Sequence, residues 1–334
     1  MKAWQISDQK NLQSLKMIES DNPIANYGEA VIAVKACALN HRDLQIMRNQ
    51  YGGEKSPTQI PLSDMSGEII AIGAGVTDLK PGDRVCATHF TKWIDGEYNP
   101  AYLSADLGNS MNGVLAERIS LPASCLVKIP KTLDFVKSST LPVAGATVWS
   151  CLQILGNIKP GDTVLLLGTG GVSVFALQLA LINGAKTVIT SSQDKKLQRM
   201  KDLGAHEVIN YKTNPAWEKE VLKATGGVDI VVETGGIGTL EKSIYACAPN
   251  ARVGLIGALA KTNNFKGFGG LLIKNILLKG ITSGSKIMLE DFITAIQIHH
   301  FDPIIDKVFD FDQAISAYEY LDSGQHIGKI VIKL

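Results

Sequence analysis

What is scarce in this sequence narrows it first. Only five cysteines occur in 334 residues: Cys37, Cys86, Cys125, Cys151 and Cys247, none of them in C-x-x-C spacing. Their odd number and dispersal argue against a disulfide framework and a structural zinc cluster, and leave them as small buried apolar residues. Charge of one sign is missing too. The 33 basic side chains nearly cancel the 32 acidic ones, so nothing electrostatic favours nucleic acid or an anionic membrane as a main partner. The opening MKAWQISDQK lacks the apolar core of a signal peptide, and a cytoplasmic location is the expectation. The uncharged stretch Thr163–Ala185 is broken by glycines and a glutamine. It reads as a buried parallel strand with its helix, not as a membrane span. Internal repeats and low-complexity tracts are also lacking.

What is present suits a two-domain globular chain, with 45% hydrophobic and 19% charged side chains. Residues 1–127 read as strands and turns. Ala30–Ala36 and Ile69–Ile72 are strand candidates, and the turn Lys80–Val85 leads into a third. His89–Asn112 shows no periodicity and is expected to be an extended loop. From Pro130 onward strands and helices alternate. Strands are expected at Val164–Leu167, Thr187–Ser191, Glu207–Asn210, Val228–Glu233, Arg252–Gly257 and Leu277–Ile281, the last after a glycine-rich loop at Gly267–Gly270. Helices are expected between them at Ser173–Asn183, Lys195–Leu203, Pro215–Ala224 and Leu240–Cys247. That rhythm is α/β: a doubly wound parallel sheet of six strands within residues 128–285. Residues 286–334 carry helices near Leu289–His299 and Phe311–Ser323 and a closing strand Lys329–Lys333. They are expected to rejoin the first block.

The most informative motif joins the first of those strands to its helix. Apolar Val164–Leu167 runs into Gly168-Thr169-Gly170-Gly171, and a helical pattern leaves it. This is the strand–turn–helix of a dinucleotide-binding unit. Gly168 permits the tight turn, and Gly170 lets the backbone approach a pyrophosphate at the helix N-terminus. Gly168, Gly170, Gly171 and Val172 are therefore expected to bind cofactor. Ser173 replaces the third glycine and is small enough for close packing. At the end of the second strand an acid would select NAD. Here the chain reads Thr190-Ser191-Ser192-Gln193-Asp194-Lys195-Lys196. Small hydroxyls followed by lysines point to NADP(H), through Ser191, Ser192 and Lys196. Asp194 has a second reading as a helix cap. Gly235, Gly257, Ser283 and Ser285 lie on loops after the later strands, where ligands bind in such sheets.

The order of elements, the turn Pro160-Gly161-Asp162 and the tail Gly328-Lys329-Ile330-Val331 resemble the medium-chain dehydrogenase/reductase superfamily over nearly the whole chain. The resemblance implies a GroES-like mostly-β domain (1–127), a Rossmann domain (128–285), a C-terminal return (286–334) and an active site in the cleft between the domains. It also implies a homodimer joined at the sixth-strand edge. Zinc members carry C-x-x-D, G-H-E and a third ligand farther on. The matching residues here are Asn40 in Asn40-His41-Arg42-Asp43, Ser63 in Leu62-Ser63-Asp64, and Val143. No catalytic metal is expected from that set. The four-cysteine structural lobe is absent from His89–Asn112 as well.

The N-x-x-D pattern is similar to that of the zinc-free quinone oxidoreductases. That likeness implies that Asn40 lies near the nicotinamide ribose, that Tyr51 and Asp43 belong to the active site, and that Thr147 lies beside the nicotinamide. It further implies adenosine contacts from Lys196 and Tyr211 and a phosphate contact from Lys329. Gln45 replaces an earlier tyrosine of the group, so the acceptor pocket, shaped by the loops Gln50–Ile60 and His89–Asn112, need not be the same. Plainer readings stand beside these: Asn40 as a strand-ending turn, Tyr51 as surface packing, Asp43 as a partner of the backbone or Arg42, Lys329 as an ordinary strand residue. The expected activity is hydride transfer from NADPH to a small-molecule quinone or an activated C=C or carbonyl compound. A zinc-free alcohol dehydrogenase or ketone reductase, and an NADPH-binding protein without turnover, are the alternatives.

Overall fold

The computed structural model describes residues 1–7, 12–52, 58–257, 265 and 267–334. The chain opens with an antiparallel hairpin, β1 (Lys2–Ile6) and β2 (Leu15–Glu19). Next comes β3 (Glu29–Leu39), whose sequence EAVIAVKACAL is rich in small and β-branched residues that suit a strand buried on both faces. After it a short helix, α1 (His41–Met47), turns the chain away. Strands β4 (Asp64–Ile72), β5 (Arg84–Ala87), β6 (Arg118–Pro122) and β7 (Leu126–Lys128) follow. Helices α2 (Phe135–Ser138) and α3 (Pro142–Trp149) come next, and a π-helical turn, Ser150–Leu155, follows α3.

The alternating region then begins. Strands β8 (Thr163–Leu167), β9 (Lys186–Ser191), β10 (Glu207–Asn210), β11 (Val228–Glu233), β12 (Cys247–Leu255) and β13 (Leu277–Gly280) form one sheet. Helices α4 (Gly171–Ile182), α5 (Asp194–Asp202), α6 (Trp217–Thr225), α7 (Ile237–Ala246) and α8 (Phe268–Ile273) connect them. The tail holds α9 (Lys286–His299), β14 (Ile305–Asp310), α10 (Ala314–Asp322) and β15 (Lys329–Lys333).

Two compact units result: Met1–Ala146 with Gly284–Leu334, and Thr147–Ser283. The first therefore runs past residue 127, and 128–146, expected in the dinucleotide unit, pack with it. Its main sheet runs β14-β15-β3-β4-β5-β7, with β6 paired to β3. Its core gathers Leu39, Leu44, Met65, Leu115, Tyr318 and Ile330. The second unit's sheet runs β10-β9-β8-β11-β12-β13, all neighbours parallel. That is the 3-2-1-4-5-6 order of the dinucleotide fold, with strand order reversing at β8 and β11. Leu165, Val188, Val221, Val231 and Val253 fill its core. All five cysteines are buried and unpaired.

Four further expectations change. His89–Asn112 is not wholly irregular: it contains a 3-10 turn, Pro100–Ala105. Trp93 stacks on Tyr102 there, with ring centroids 5.8 Å apart. The glycine-rich loop at Gly267–Gly270 runs into α8. Strand β14 was not expected; it is held by parallel pairing to β15. The block of strands and turns also contains α1. Residues 53–57 of the loop Gln50–Ile60 lie outside the described residues. Among the described residues no helix is long and apolar enough to cross a membrane.

Candidate active site

In the second unit the glycine turn stands at the carboxyl end of β8. Gly168 has φ +75°, a left-handed conformation that glycine adopts without strain. Gly170 is the residue before α4 and offers no side chain to cap it. The first N–H groups of α4 therefore have no side-chain cap, and a Cβ at Gly168 or Gly170 would meet nothing within 4 Å. An open cradle of unclaimed backbone donors fits a pyrophosphate. Ser173 does more than stay small. Its hydroxyl donates to the Leu167 carbonyl at 2.7 Å and ties helix to strand. Thr234, after β11, donates to the same carbonyl at 2.8 Å. The two strand ends at the switch point are thus bonded together.

The end of β9 carries the next group of expected residues. Ser191 and Lys196 are buried and Ser192 is half-buried. Gln193, not Asp194, precedes α5. The Asp194 carboxylate accepts from Asn210 Nδ2 at 2.6 Å, and this acid near the strand end is held by β10. Tyr211 is partly exposed, and its N–H donates to the Ser191 carbonyl at 3.0 Å. Thr147 and Ser283 come together, their hydroxyls 3.5 Å apart. The Ser285 hydroxyl instead accepts from Met288 N–H as the cap of α9. Gly235 and Gly257 have packing reasons: a Cβ would run into the Thr239 side chain or the Thr234 carbonyl. Glu233, missed in the sequence, ends β11 as a buried acid. It accepts from Gly235 N–H, Gly236 N–H, Thr239 and Ser243. Burial raises its pKa, and those donors oppose the rise.

In the first unit the register of three strands builds a corner. β3 lies between β15 and β4, with Leu39 opposite Ile330 and Ala38 opposite Asp64. Asn40, Lys329 and Asp64 therefore meet, although Asn40 and Lys329 are 289 positions apart. The Lys329 ammonium donates to Asn40 Oδ1 at 2.6 Å and to Asp64 Oδ2 at 3.0 Å. Asn40 Nδ2 donates to Asp64 Oδ2 at 2.9 Å, and Val143 N–H donates to Asp64 Oδ1 at 2.9 Å. Asp64 stands where the acid of G-H-E falls, which was the one available sign of its role. The adjoining Ser63 hydroxyl is fully buried and has no hydrogen-bond partner.

Asp43 accepts from the Asn40 backbone N–H at 2.7 Å, while its other oxygen is buried without a partner. Burial pushes its carboxyl up to about 7, against the pull of Arg42. Arg42 does not pair with it. The guanidinium grips Asp106 through two bonds of 2.7 and 2.8 Å, both side chains buried. It also lies 5.0 Å from the centre of the half-buried Tyr51 ring. Tyr51 is thus packed on a cation, not merely on the surface.

The corner does not suit zinc. Positions 40, 63 and 143 offer an amide, a hydroxyl and an apolar side chain where the metal takes thiolate and imidazole. A lysine ammonium is already bonded inside the set, and a dication beside it would be repelled. Among the described residues no three His, Cys, Asp or Glu side chains group to hold a metal.

Comparison with known proteins agrees with this architecture. The zinc-binding dehydrogenase family matches residues 171–299 and the alcohol dehydrogenase GroES-like domain matches residues 26–131. A zinc-type alcohol dehydrogenase-like protein of Schizosaccharomyces pombe is 41% identical over 317 residues, covering 92% of each chain. An acryloyl-coenzyme A reductase of Metallosphaera sedula is 25% identical over 340 residues, covering 99% of each. The crystal structure of an NAD-dependent alcohol dehydrogenase superposes with a TM-score of 0.91 at 29% identity, covering 100% of both chains.

Proposed function

The chain belongs to the medium-chain dehydrogenase/reductase superfamily and is an NAD(P)-dependent oxidoreductase; from that premise we propose that it is a zinc-independent, NADPH-dependent reductase of quinones or activated C=C and carbonyl compounds. One observation carries the reading: Asn40, Ser63 and Val143 occupy the three ligand positions of the zinc branch, with the Lys329 ammonium bonded to Asn40 and to Asp64 beside Ser63. Without a Lewis acid, forming an alkoxide from an alcohol near neutral pH is hard. Reducing a polarised acceptor is easier, because the negative charge spreads onto oxygen.

NADPH, when bound, supplies the hydride. Gly168, Gly170, Gly171 and Val172 would hold its pyrophosphate. Ser191, Ser192 and Lys196 would hold the adenosine phosphate, with Tyr211 beside the adenine. Asn40 would offer a half-buried amide to the reacting centre. The Tyr51 hydroxyl or solvent would return the proton. The acryloyl-coenzyme A reductase relative supports reduction of an activated C=C bond. The Schizosaccharomyces pombe relative supports the second reading, an alcohol dehydrogenase or ketone reductase.

An acceptor panel separates the two. NADPH oxidation with a naphthoquinone or an alkenal is expected, and metal analysis is expected to find no stoichiometric zinc. Turnover with simple alcohols alone would overturn the reading.

The edge strand β13 suggests a homodimer. Leu272 and Ile273 before it are 81% and 88% exposed, and an unpaired edge invites a partner. A monomer in sedimentation at working concentration would remove that proposal. A cytoplasmic location is proposed as well, and cell fractionation tests it.

A further inference from the structure

The Lys329–Asp64 ion pair is buried, at 3% and 0% exposure, while Asn40 is half-buried. Burying two charges costs desolvation that an apolar pair of the same size would avoid. What this pair does, and an apolar one would not, is hold one carboxamide by both ends. An asparagine amide has two nearly isosteric orientations. Here an ammonium faces Oδ1 and a carboxylate faces Nδ2. The flipped amide would set its NH₂ against the ammonium and its oxygen against the carboxylate. Both contacts would be repulsive, so charge selects one orientation.

Asn40 then retains one N–H and one acceptor site beyond the bonds named. Asp64 is itself fixed by Val143 N–H, so the frame is anchored in a second segment of the unit.

We propose that Lys329 is a positioning residue of the reaction. With Asp64 it locks the Asn40 amide so that its remaining N–H is preorganised to donate to the oxygen that gains charge on the acceptor, an enolate or quinol oxygen. A donor fixed before reaction is worth more than one that must reorganise. Lys329 thus serves the acceptor through Asn40 rather than binding a cofactor phosphate. This assignment rests on the zinc-independent reading of the same corner.

The test is Lys329→Met, measured with NADPH and an alkenal or naphthoquinone. Loss of a preorganised donor predicts a fall in kcat of about 100-fold, with the Kd for NADPH unchanged. Lys329→Arg, which keeps charge and donors, should recover much of the rate. A cofactor-phosphate role predicts the reverse: weaker NADPH binding and an undiminished kcat at saturation, and that result overturns the assignment.

Because Lys329→Met strands a buried carboxylate, the double variant Asp64→Asn/Lys329→Met is measured beside it. It should fold and bind NADPH yet remain slow. A double variant with the wild-type rate would also overturn the proposal. An NMR readout needs no substrate. The Asn40 side-chain amide resonance, identified by its loss in Asn40→Ala, should shift in Lys329→Met. An unmoved resonance refutes the positioning role even if the acceptor class is right, and a shifted one upholds the lock even if the acceptor class is wrong.

Discussion

The glycine turn of the second unit and the Asn40 corner of the first present polar groups in opposite ways. The turn uses backbone N–H groups alone, from adjacent residues, and the space before Gly168 and Gly170 is open. The corner uses charged and amide side chains from β4, β15 and the end of β3, buried against one another. One site works by leaving side chains out; the other works by balancing them. The turn should therefore tolerate folding perturbations and fail when filled. The corner should tolerate changes of volume and fail when charge is left uncompensated.

The largest expected effect tests the charge balance of the corner. The Asp43 carboxyl is held up to about 7 by burial, against an ordinary value of 3.8. Between those values the folded chain keeps a proton that the unfolded chain releases. The part of the stability linked to Asp43 should therefore be fully present below about pH 4 and decline as pH rises toward 7. Three pH units correspond to about 4 kcal/mol as an upper figure. Asp43→Asn keeps an acceptor for the Asn40 N–H and carries no charge. Urea unfolding at pH 5 and pH 8 should show a marked loss in the wild-type protein and little in the variant. Equal slopes in both would mean that the corner accommodates the Asp43 charge and that the contrast with the turn is overstated.

The next effect tests the turn. Gly170 has φ −77°, which any residue adopts, and a Cβ there meets no atom within 4 Å. Gly170→Val should fold with an unchanged melting temperature. It would put methyl groups where the proposed site takes the pyrophosphate, and on that reading NADPH affinity should fall about 100-fold, or about 2.7 kcal/mol. Calorimetric titration measures this. Retained affinity would show that cofactor does not use the turn.

The same contrast explains what could be read in advance. The turn was legible because its logic lies in consecutive residues, and the local periods around it are strong. Strands β10, β11 and β15 have the bounds expected of them. The corner was legible only in part. Asn40, Asp43 and Lys329 were named from the resemblance, but their bonding depends on the register of β15, β3 and β4, which no local pattern encodes. Of the two partners read for Asp43, the backbone and Arg42, the structure has the backbone N–H of Asn40; the partner of Arg42, Asp106, lies 64 residues away within a segment without periodicity. Strand β14 was illegible for a different reason. Only Phe309 of its six residues is buried, so it lacks alternation. α8 carries the pair Gly269-Gly270 in its first turn, which disfavours a helix, so no local pattern announces it.

The smallest effect bears on which cofactor the turn serves, and it sharpens the comparison by asking whether the second unit also uses a side-chain charge. Lys196 is buried near the start of α5, and Asp194 beside it is occupied by Asn210. If Lys196 meets the adenosine phosphate, removing its charge should weaken NADPH more than NADH, since only the former carries that phosphate. Lys196→Gln keeps most of the buried stem. Any general loss of stability or of turn geometry then affects both cofactors alike and cancels in their ratio. The ratio of NADH to NADPH dissociation constants should fall about tenfold, near 1.4 kcal/mol. Fluorescence titration of wild type and variant with each cofactor gives it directly. An unchanged ratio would remove the Lys196 charge as a source of selectivity, and the proposed role of this lysine in choosing the cofactor would fall.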